Sequence, residues 1–414
     1  MRPTLGDNIA RIRRHRQLTQ EQLAELAELS VEIIGKLERN ERSSARMSTL
    51  NRLARALDVP TSALLGDASR SVARRERDRD QIALIDLRRV LTPARGLGGV
   101  TVGAAITAPP TMDGVRAAIR AVDAAYHADD YAATFAALPS LLTEAAALVD
   151  VVDGDARAGA YDLLAQAHQV AGTALIQLRA FDLAYRALSL ALDAADRSGN
   201  TLIGASMVTT MCWLLLRQGR FAEAEELAVS TADAIEPKFS RARPAELTTW
   251  GWLLLRASAA AARDNRADDA ETMLDAAAAA AARLGDRAPA DSHQPGLVSI
   301  GRFCLSTVGM KRVENAVVTG DPGRALALAA RVPPGGRPTS NNRNRHRLDL
   351  AYAHTQLGDF ASATDVLLTL RSAAPTWLRH QRYARDIVRT IRARRRRAMS
   401  QEQAELAALV GLEP

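Results

Sequence analysis

Six times between residues 129 and 363 the chain repeats one short signature. A turn-forming residue is followed two places on by an apolar or ring residue, and three places later by a small one. The copies are Asp129-Tyr131-Thr134, Arg179-Phe181-Ala184, Gly219-Phe221-Ala224, Asn265-Ala267-Ala270, Gly320-Pro322-Ala325 and Gly358-Phe360-Ala363. Each copy follows one helical stretch and opens another. The turn-former ends a helix, the larger side chain wedges between the pair, and the small residue lets the two helices approach. The middle positions lie 38 to 55 residues apart, room for two antiparallel helices per unit. Alanine and leucine, the best helix formers, dominate, and β-branched runs are scarce. The predicted fold class is therefore all-α.

At 414 residues the chain exceeds what one compact core usually holds, so it divides. The expected boundaries are residues 1–66, a charged and Gly/Pro-rich linker over 67–111 with one helix (Gln81 to Leu91), and an array over 112–414. The repeated signature resembles the tetratricopeptide repeat family in a degenerate form. Its units exceed the usual ~34 residues of that repeat, and only Gly219 and Gly358 open a full Gly-x-Phe-x-x-Ala. The resemblance implies a tetratricopeptide-like α-solenoid.

Charge is unevenly placed. Residues 1–66 hold eleven Lys/Arg against eight Asp/Glu, and residues 378–397 hold nine Arg against one Asp. A basic head suits a polyanion. The tail, including Arg392 to Arg397, either adds phosphate contacts or is the solvated face of a last helix, the commoner use of a charge run. The stretch Gln401 to Leu412 has helical apolar spacing suited to packing on the array or on a partner subunit.

The head reads as five short helices. Helix one spans Leu5 to His15, with Ile9 and Ile12 on one face. Thr19 caps helix two with Gln22 at the capping-box position, and Leu23, Leu26 and Ala27 point inward. Ser30 caps helix three, Val31 to Arg39, whose Ile33, Ile34 and Leu37 face the core before Asn40 stops it. Ser48 to Leu57 and Thr61 to Leu65 follow. The runs Leu18-Thr19-Gln20-Glu21-Gln22-Leu23-Ala24, Leu29-Ser30, Ile34, Leu37-Glu38 and Leu53-Ala54-Arg55-Ala56-Leu57-Asp58-Val59-Pro60 resemble the xenobiotic-response-element (XRE) helix-turn-helix family, which includes the lambdoid phage repressors.

That resemblance implies a lambda-repressor-like domain on double-stranded DNA. Gln20 would bond a phosphate at a helix N-terminus. Ser30, Val31, Glu32 and Lys36 would enter the major groove. There Lys36 can read guanine, Glu32 can accept from a cytosine amine, and Val31 can meet a thymine methyl. Glu32 is equally well read as a solvated helix-face charge. Arg39 and Arg42 would reach the backbone and Arg46 the minor groove, while Arg13 and Glu38 would form an internal ion pair. Two positions depart from the family. Glu28 stands where a turn glycine is common, and requires an unusual backbone conformation. Gly35 sits in mid-helix, where it either admits the DNA backbone closely or removes a base contact.

In the array, ligands would lie on the concave face. The candidates are Trp213, Trp250, Trp252, Arg302, Asn341, Asn342 and Arg345. The tryptophans serve either a ligand or, more in keeping with large aromatics, the core. Asn341-Asn342-Arg343-Asn344-Arg345 either clamps an extended peptide or is a polar helix start after Pro338. No phosphate-binding loop, metalloprotease motif or other catalytic constellation is present, and His346 and His354 lack an obvious third metal ligand. No cofactor is expected. Cys212 and Cys304 read as two buried, reduced thiols. There is no signal-peptide core, and no unbroken apolar run reaches the ~18 residues of a membrane span; the longest is Ala276 to Ala282.

The layout of a helix-turn-helix head on such a body resembles the RRNPP-type regulators and a large group of actinobacterial regulators. It implies a cytoplasmic, homodimeric transcriptional regulator, not an enzyme, whose body senses a peptide or small molecule. The alternative is a DNA-tethered scaffold that recruits a partner protein. An effector site predicts a closed, aromatic-lined groove, a scaffold an open one.

Overall fold

The structure, a computed structural model, describes residues 4–41, 45, 47–57, 59, 61–64, 84–94, 109–285, 301–334, 338–394 and 400–412. Every regular element among them is helical. The chain divides into a head, Met1–Leu84, and a body, Ile85–Leu412.

The head contains α1 (Leu5–His15), α2 (Gln20–Leu26), α3 (Val31–Glu38), α4 (Met47–Ala56) and α5 (Thr61–Leu64). Capping boxes at Thr4/Asp7 and Thr19/Gln22 start α1 and α2. Ile9, Leu23, Ile34, Leu37, Leu53 and Leu64 form its core, each fully buried. Leu26 does not point inward: it is 58% exposed. The buried stripe of α2 is Leu23, Ala24 and Ala27, and at 100° per residue Leu26 falls to one side of it. The α1–α3 packing is close enough that a Cβ on Gly6 would lie 2.0 Å from the Leu37 carbonyl oxygen.

In the body, six helix pairs follow one another: α7 (Met112–His127) with α8 (Tyr131–Val151), α9 (Ala156–Gln177) with α10 (Phe181–Ser198), and α11 (Thr201–Gln218) with α12 (Phe221–Ala234). Then come α13 (Pro244–Arg263) with α14 (Ala267–Leu284), α15 (Leu305–Val318) with α16 (Pro322–Ala329), and α17 (Ser340–Gln356) with α18 (Phe360–Ala373). The recurring signature is the joint of every pair. All six turn residues are left-handed, with φ from 58° at Asn265 to 82° at Gly320. The amide after each donates back five residues, as in Ala180 N to Leu175 O at 3.0 Å and Arg266 N to Ala261 O at 2.9 Å, the bond that satisfies a terminal helix carbonyl. The middle residue is the first of the next helix in every copy. The small residue is buried in every copy, at most 2% exposed.

Each first helix also packs on the first helix of the next pair, so α7, α9, α11, α13, α15 and α17 make one continuous inner layer. The start of α17 meets the end of α7, where Ser340 Oγ donates to the His127 carbonyl at 2.8 Å. The inner layer thus curls until its last helix reaches its first.

The helix read in the linker, α6 (Ile85–Leu91), packs on the body through Leu87 and Leu91, and Arg186 Nε donates to the Leu91 carbonyl at 3.2 Å. After α18 come α19 (Pro375–Arg379), α20 (Arg382–Arg394) and α21 (Gln401–Leu409). Ala384, Ile387, Val388 and Ile391 bury one side of α20, leaving most of its arginines on the outward side, the solvated-face arrangement; Arg395 to Arg397 lie outside the described residues. α21 packs on α18 and α19, with Arg371 Nη1 bonded to Glu405 Oε2 at 2.8 Å. Two further sequence expectations change. Cys304 is half-buried where Cys212 is buried. And α8, with a mean hydropathy of 1.5, is long and apolar enough to cross a membrane. No unbroken apolar run marks it, because Ser140, Thr143 and Glu144 interrupt it, while Leu138, Leu141, Leu142, Ala145 and Leu148 bury one side of it in the array.

Candidate functional site

The outward face of α3 is set by what its other face buries. Ser30 Oγ accepts from the Ile33 amide at 3.3 Å, which starts the helix, and Ile34 and Leu37 are fully buried. Val31, Glu32 and Lys36 consequently face out. Val31 is 40% exposed, an apolar group at the leading turn that contact with a methyl would remove from water. Lys36 Nζ lies 2.7 Å from Glu32 Oε1, and Lys36 holds the Glu32 carboxyl below its usual range. Exposed pairs of this kind exchange partners readily.

Behind α3, three helices are tied at one carboxylate. Arg13 of α1 donates through Nε and Nη2 to the two oxygens of Glu38 at 2.7 and 2.8 Å. Gln20, the first residue of α2, donates Nε2 to Glu38 Oε2 at 2.7 Å. Arg13 Nη1 also holds the Leu18 carbonyl at 2.8 Å. The Arg13 and Glu38 side chains are only 12% and 6% exposed. Burial pushes the Glu38 carboxyl up, but Arg13 and Gln20 outweigh it and leave it lowered. The Gln20 side-chain amide thus faces the protein.

The two positions that depart from the family are both accommodated. Glu28 takes φ 48°, and Arg52 of α4 donates Nη2 to its carbonyl at 2.5 Å and to its carboxylate at 2.7 Å. Gly35 is buried beneath Arg39; a Cβ there would lie 3.0 Å from Arg39 Nη1. Arg39 is itself bonded to Glu41 at 2.6 and 3.2 Å. Arg42 and Arg46 lie outside the described residues. Sequence reasoning misses Arg52, and reads Asn40 only as a helix stop, although its side chain also accepts from Thr4 Oγ1 at 2.5 Å. Both act on turns, and only the positive φ at Glu28 and Asn40 marks where a clamp is needed.

The body holds a second site. The inner layer surrounds a partly open cavity of about 140 Å³. Every one of its six helices contributes to the wall: His127, Gln177, Arg217, Arg263, Glu314 and Asn341 come from α7, α9, α11, α13, α15 and α17 in turn. Trp213, Trp252, Asn341, Asn342 and Arg345 all line it. Trp250 and Arg302 do not. Trp250 packs edge-on against Phe239, centroids 5.6 Å apart, in the core, and the Arg302 carbonyl accepts from Thr307 Oγ1 at 2.8 Å. Asn341 Oδ1 accepts from Gln177 Nε2 at 2.9 Å across the layer, while Asn342 Nδ2 donates to Thr339 Oγ1 at 3.1 Å, at the start of its own helix.

The wall is strongly cationic. Arg256 lies over the Trp252 ring at 5.0 Å and the Trp213 ring at 5.8 Å, favourable for a cation on aromatic faces. Burial brings its guanidinium down to about 10. Glu314 accepts from Arg263 and from Lys311, each at 2.8 Å, with Arg345 Nη2 at 3.9 Å. Burial raises the Glu314 carboxyl, but Lys311, Arg345 and Arg263 outweigh it and leave it well below its usual range. Among the described residues no three His, Cys, Asp or Glu come together to hold a metal. A larger, more open depression of about 640 Å³ lies at the α10–α11 and α12–α13 loops, but none of its polar side chains is buried without a partner.

Comparison with known proteins locates the head. The helix-turn-helix family model matches residues 9–64, and the N-terminal domain is of the XRE type. The immunity repressor protein of Bacillus phage phi105 is 44% identical over 64 residues, 16% of this chain and 44% of the repressor, so the chain spans less than half of that relative. Among solved structures, the apo form of ComR from S. thermophilus aligns with 80% of this chain and 95% of its own, at 12% identity and a TM-score of 0.25, too distant an overlay to carry an argument.

Proposed function

From a head of the helix-turn-helix family, we propose that this chain is a sequence-specific DNA-binding transcriptional regulator, working in the cytoplasm as a homodimer. Its body would be a tetratricopeptide-like sensor for an effector held in the inner-layer cavity. One observation carries the reading of the head: α3 presents Val31, Glu32 and Lys36 outward while the Arg13–Glu38–Gln20 tie holds it at a fixed angle to α1 and α2. A helix so held and so faced fits the major groove, and two copies fit half-sites about one helical turn, ~34–36 Å, apart. A phage repressor 44% identical over 64 residues supports this.

On the body, a cation-rich pocket that carries Trp213, Trp252 and Trp377 and is lined by all six inner helices supports an effector of small size over a recruited protein. Binding there would shift an equilibrium between two arrangements of the inner helices and so the spacing of two heads. The test is selection of bound duplexes from a random library, followed by titration of the enriched and a scrambled duplex. Lys36→Ala is expected to weaken the enriched duplex about ten- to a hundredfold and the scrambled one little. Equal losses on both would make Lys36 a phosphate contact and remove it as a reader.

A further inference from the structure

We propose that the effector is a compact organic anion, bearing a carboxylate or a phosphate, received in the body's cavity by Arg217 and the side-chain amide of Asn341. This rests on the reading of that cavity as the effector site. Five cations line it, Arg217, Arg256, Arg263, Lys311 and Arg345, against one lining carboxylate, Glu314. Four of the five are engaged. Arg263, Lys311 and Arg345 surround Glu314, Arg345 also meets Asp349 at 3.3 Å, and Arg256 donates to the Thr209 carbonyl at 3.1 Å between two indole faces.

Among the described residues Arg217 makes no such ion pair or hydrogen bond, and its Nε is buried without a partner. Burial and the neighbouring Arg345 and Arg179 bring its guanidinium down to about 10, so it is still charged at neutral pH. The other unpaired polar atoms of the wall include Asn341 Nδ2, Trp377 Nε1 and the Thr173 hydroxyl, and each can donate. Glu314 lies close enough to favour the Arg217 charge without touching it, and unpaired donors around a cation with no direct partner match a ligand made of acceptors and negative charge. A neutral ligand would leave the Arg217 charge buried and unmet. The volume, about 140 Å³, is below the ~300–1,000 Å³ of drug-sized pockets, which excludes an extended peptide lying wholly inside. The Trp213 and Trp252 rings beside Arg256 suit a flat or apolar portion of the same small molecule.

All four tryptophans, Trp213, Trp250, Trp252 and Trp377, belong to the body, and three line the cavity. Tryptophan emission of the full chain therefore reports on the cavity without interference from anions on the basic head. The titrants are pyrophosphate, tricarballylate and a neutral blocked alanine tripeptide, at constant ionic strength set with sodium chloride. A saturable change with pyrophosphate assigns a phosphate ligand, one with tricarballylate a carboxylate. The responding anion is expected to bind at least tenfold more weakly to R217Q, with partial retention in R217K. Without ligand, R217Q should melt higher than the parent chain, because it loses an unmet buried charge. Absence of any saturable anion response, or equal affinity in parent and R217Q, overturns the proposal. If the tripeptide alone responds, the anion assignment falls and the effector site stands. If an anion saturates the cavity without moving the affinity for the enriched duplex, the anion assignment stands and the effector reading falls.

Discussion

Head and body end their helices with the same left-handed turn but hold the result together in different ways. In the head the turn residues are Gln17, Glu28 and Asn40, and each turn is clamped by a side chain from elsewhere in the head or by its own reach to another helix. Arg13 holds the carbonyl after Gln17, Arg52 holds Glu28, and Asn40 bonds Thr4 of the α1 cap. In the body the turn residues are Asp129, Arg179, Gly219, Asn265, Gly320 and Gly358, and five residues after each a small side chain is buried against a neighbouring helix. The head is tied by a few directional polar contacts, suited to aiming one helix. The body is stacked by repetition, which leaves its inner surface available for chemistry.

Breaking the head's central tie should have the largest effect. Arg13→Ala leaves Glu38 buried with Gln20 alone and should destabilise the head by about 3 kcal/mol, since removal of one partner strands the other. Circular dichroism melts should show the head's transition lowered and the body's unchanged. If both move together, the two regions do not fold as separate units.

Acid should act on the body through His168. His168 is 7% exposed, and burial, with Arg186 nearby, lowers its imidazole to about 4. An unfolded histidine titrates near ~6.5. Below that value the unfolded chain binds the proton first, so this contribution is complete above about pH 6.5 and is lost as pH falls toward 4. By pH 5 the loss is about 2 kcal/mol. His15, the head's histidine, is exposed. His346, also lowered to about 4, acts in the same sense, and Asp129, raised to about 6, in the opposite one, so the comparison is between parent and variant: melts at pH 7 and pH 5 should show that His168→Leu shifts the body's change toward greater stability at pH 5 by the His168 share.

The smallest effects test the shared turn. Gly219→Ala puts a Cβ at φ 81° and should cost about 1 kcal/mol, while Arg179→Gly relieves φ 61° and should lose less or gain stability. Equal responses at both sites would show that the turns are not equivalent joints.

The joints were legible in the sequence because one local rule, a helix ended by a left-handed residue, recurs with its partners at fixed offsets. Helices α1 to α3 were legible for a similar reason: Thr19 and Ser30 are caps whose partners lie three residues away. Most of the cavity was not. Trp213, Trp252, Asn341, Asn342 and Arg345 stand out by residue type, and the same logic wrongly adds Trp250 and Arg302. Arg217, Arg263, Gln177 and His127 escape it, although each stands two residues before its turn. Thr173, Trp213, Ala259 and Glu314 stand six before theirs, one helical turn earlier on the same face, and all eight line the cavity. Counting back from the turns would have found them. Pairings such as Gln20 with Glu38, or Gly35 beneath Arg39, depend on tertiary approach and have no local signature.

The function proposed for the head stands on the outward face of α3 reading DNA. The affinity of the full chain for the enriched and the scrambled duplex, taken over a series of salt concentrations, decides it. Binding should fall steeply with salt for both, with a gap in favour of the enriched duplex that narrows in Lys36→Ala. Absence of salt-dependent binding to any duplex, or an enriched-duplex preference that Lys36→Ala leaves intact, would contradict that reading.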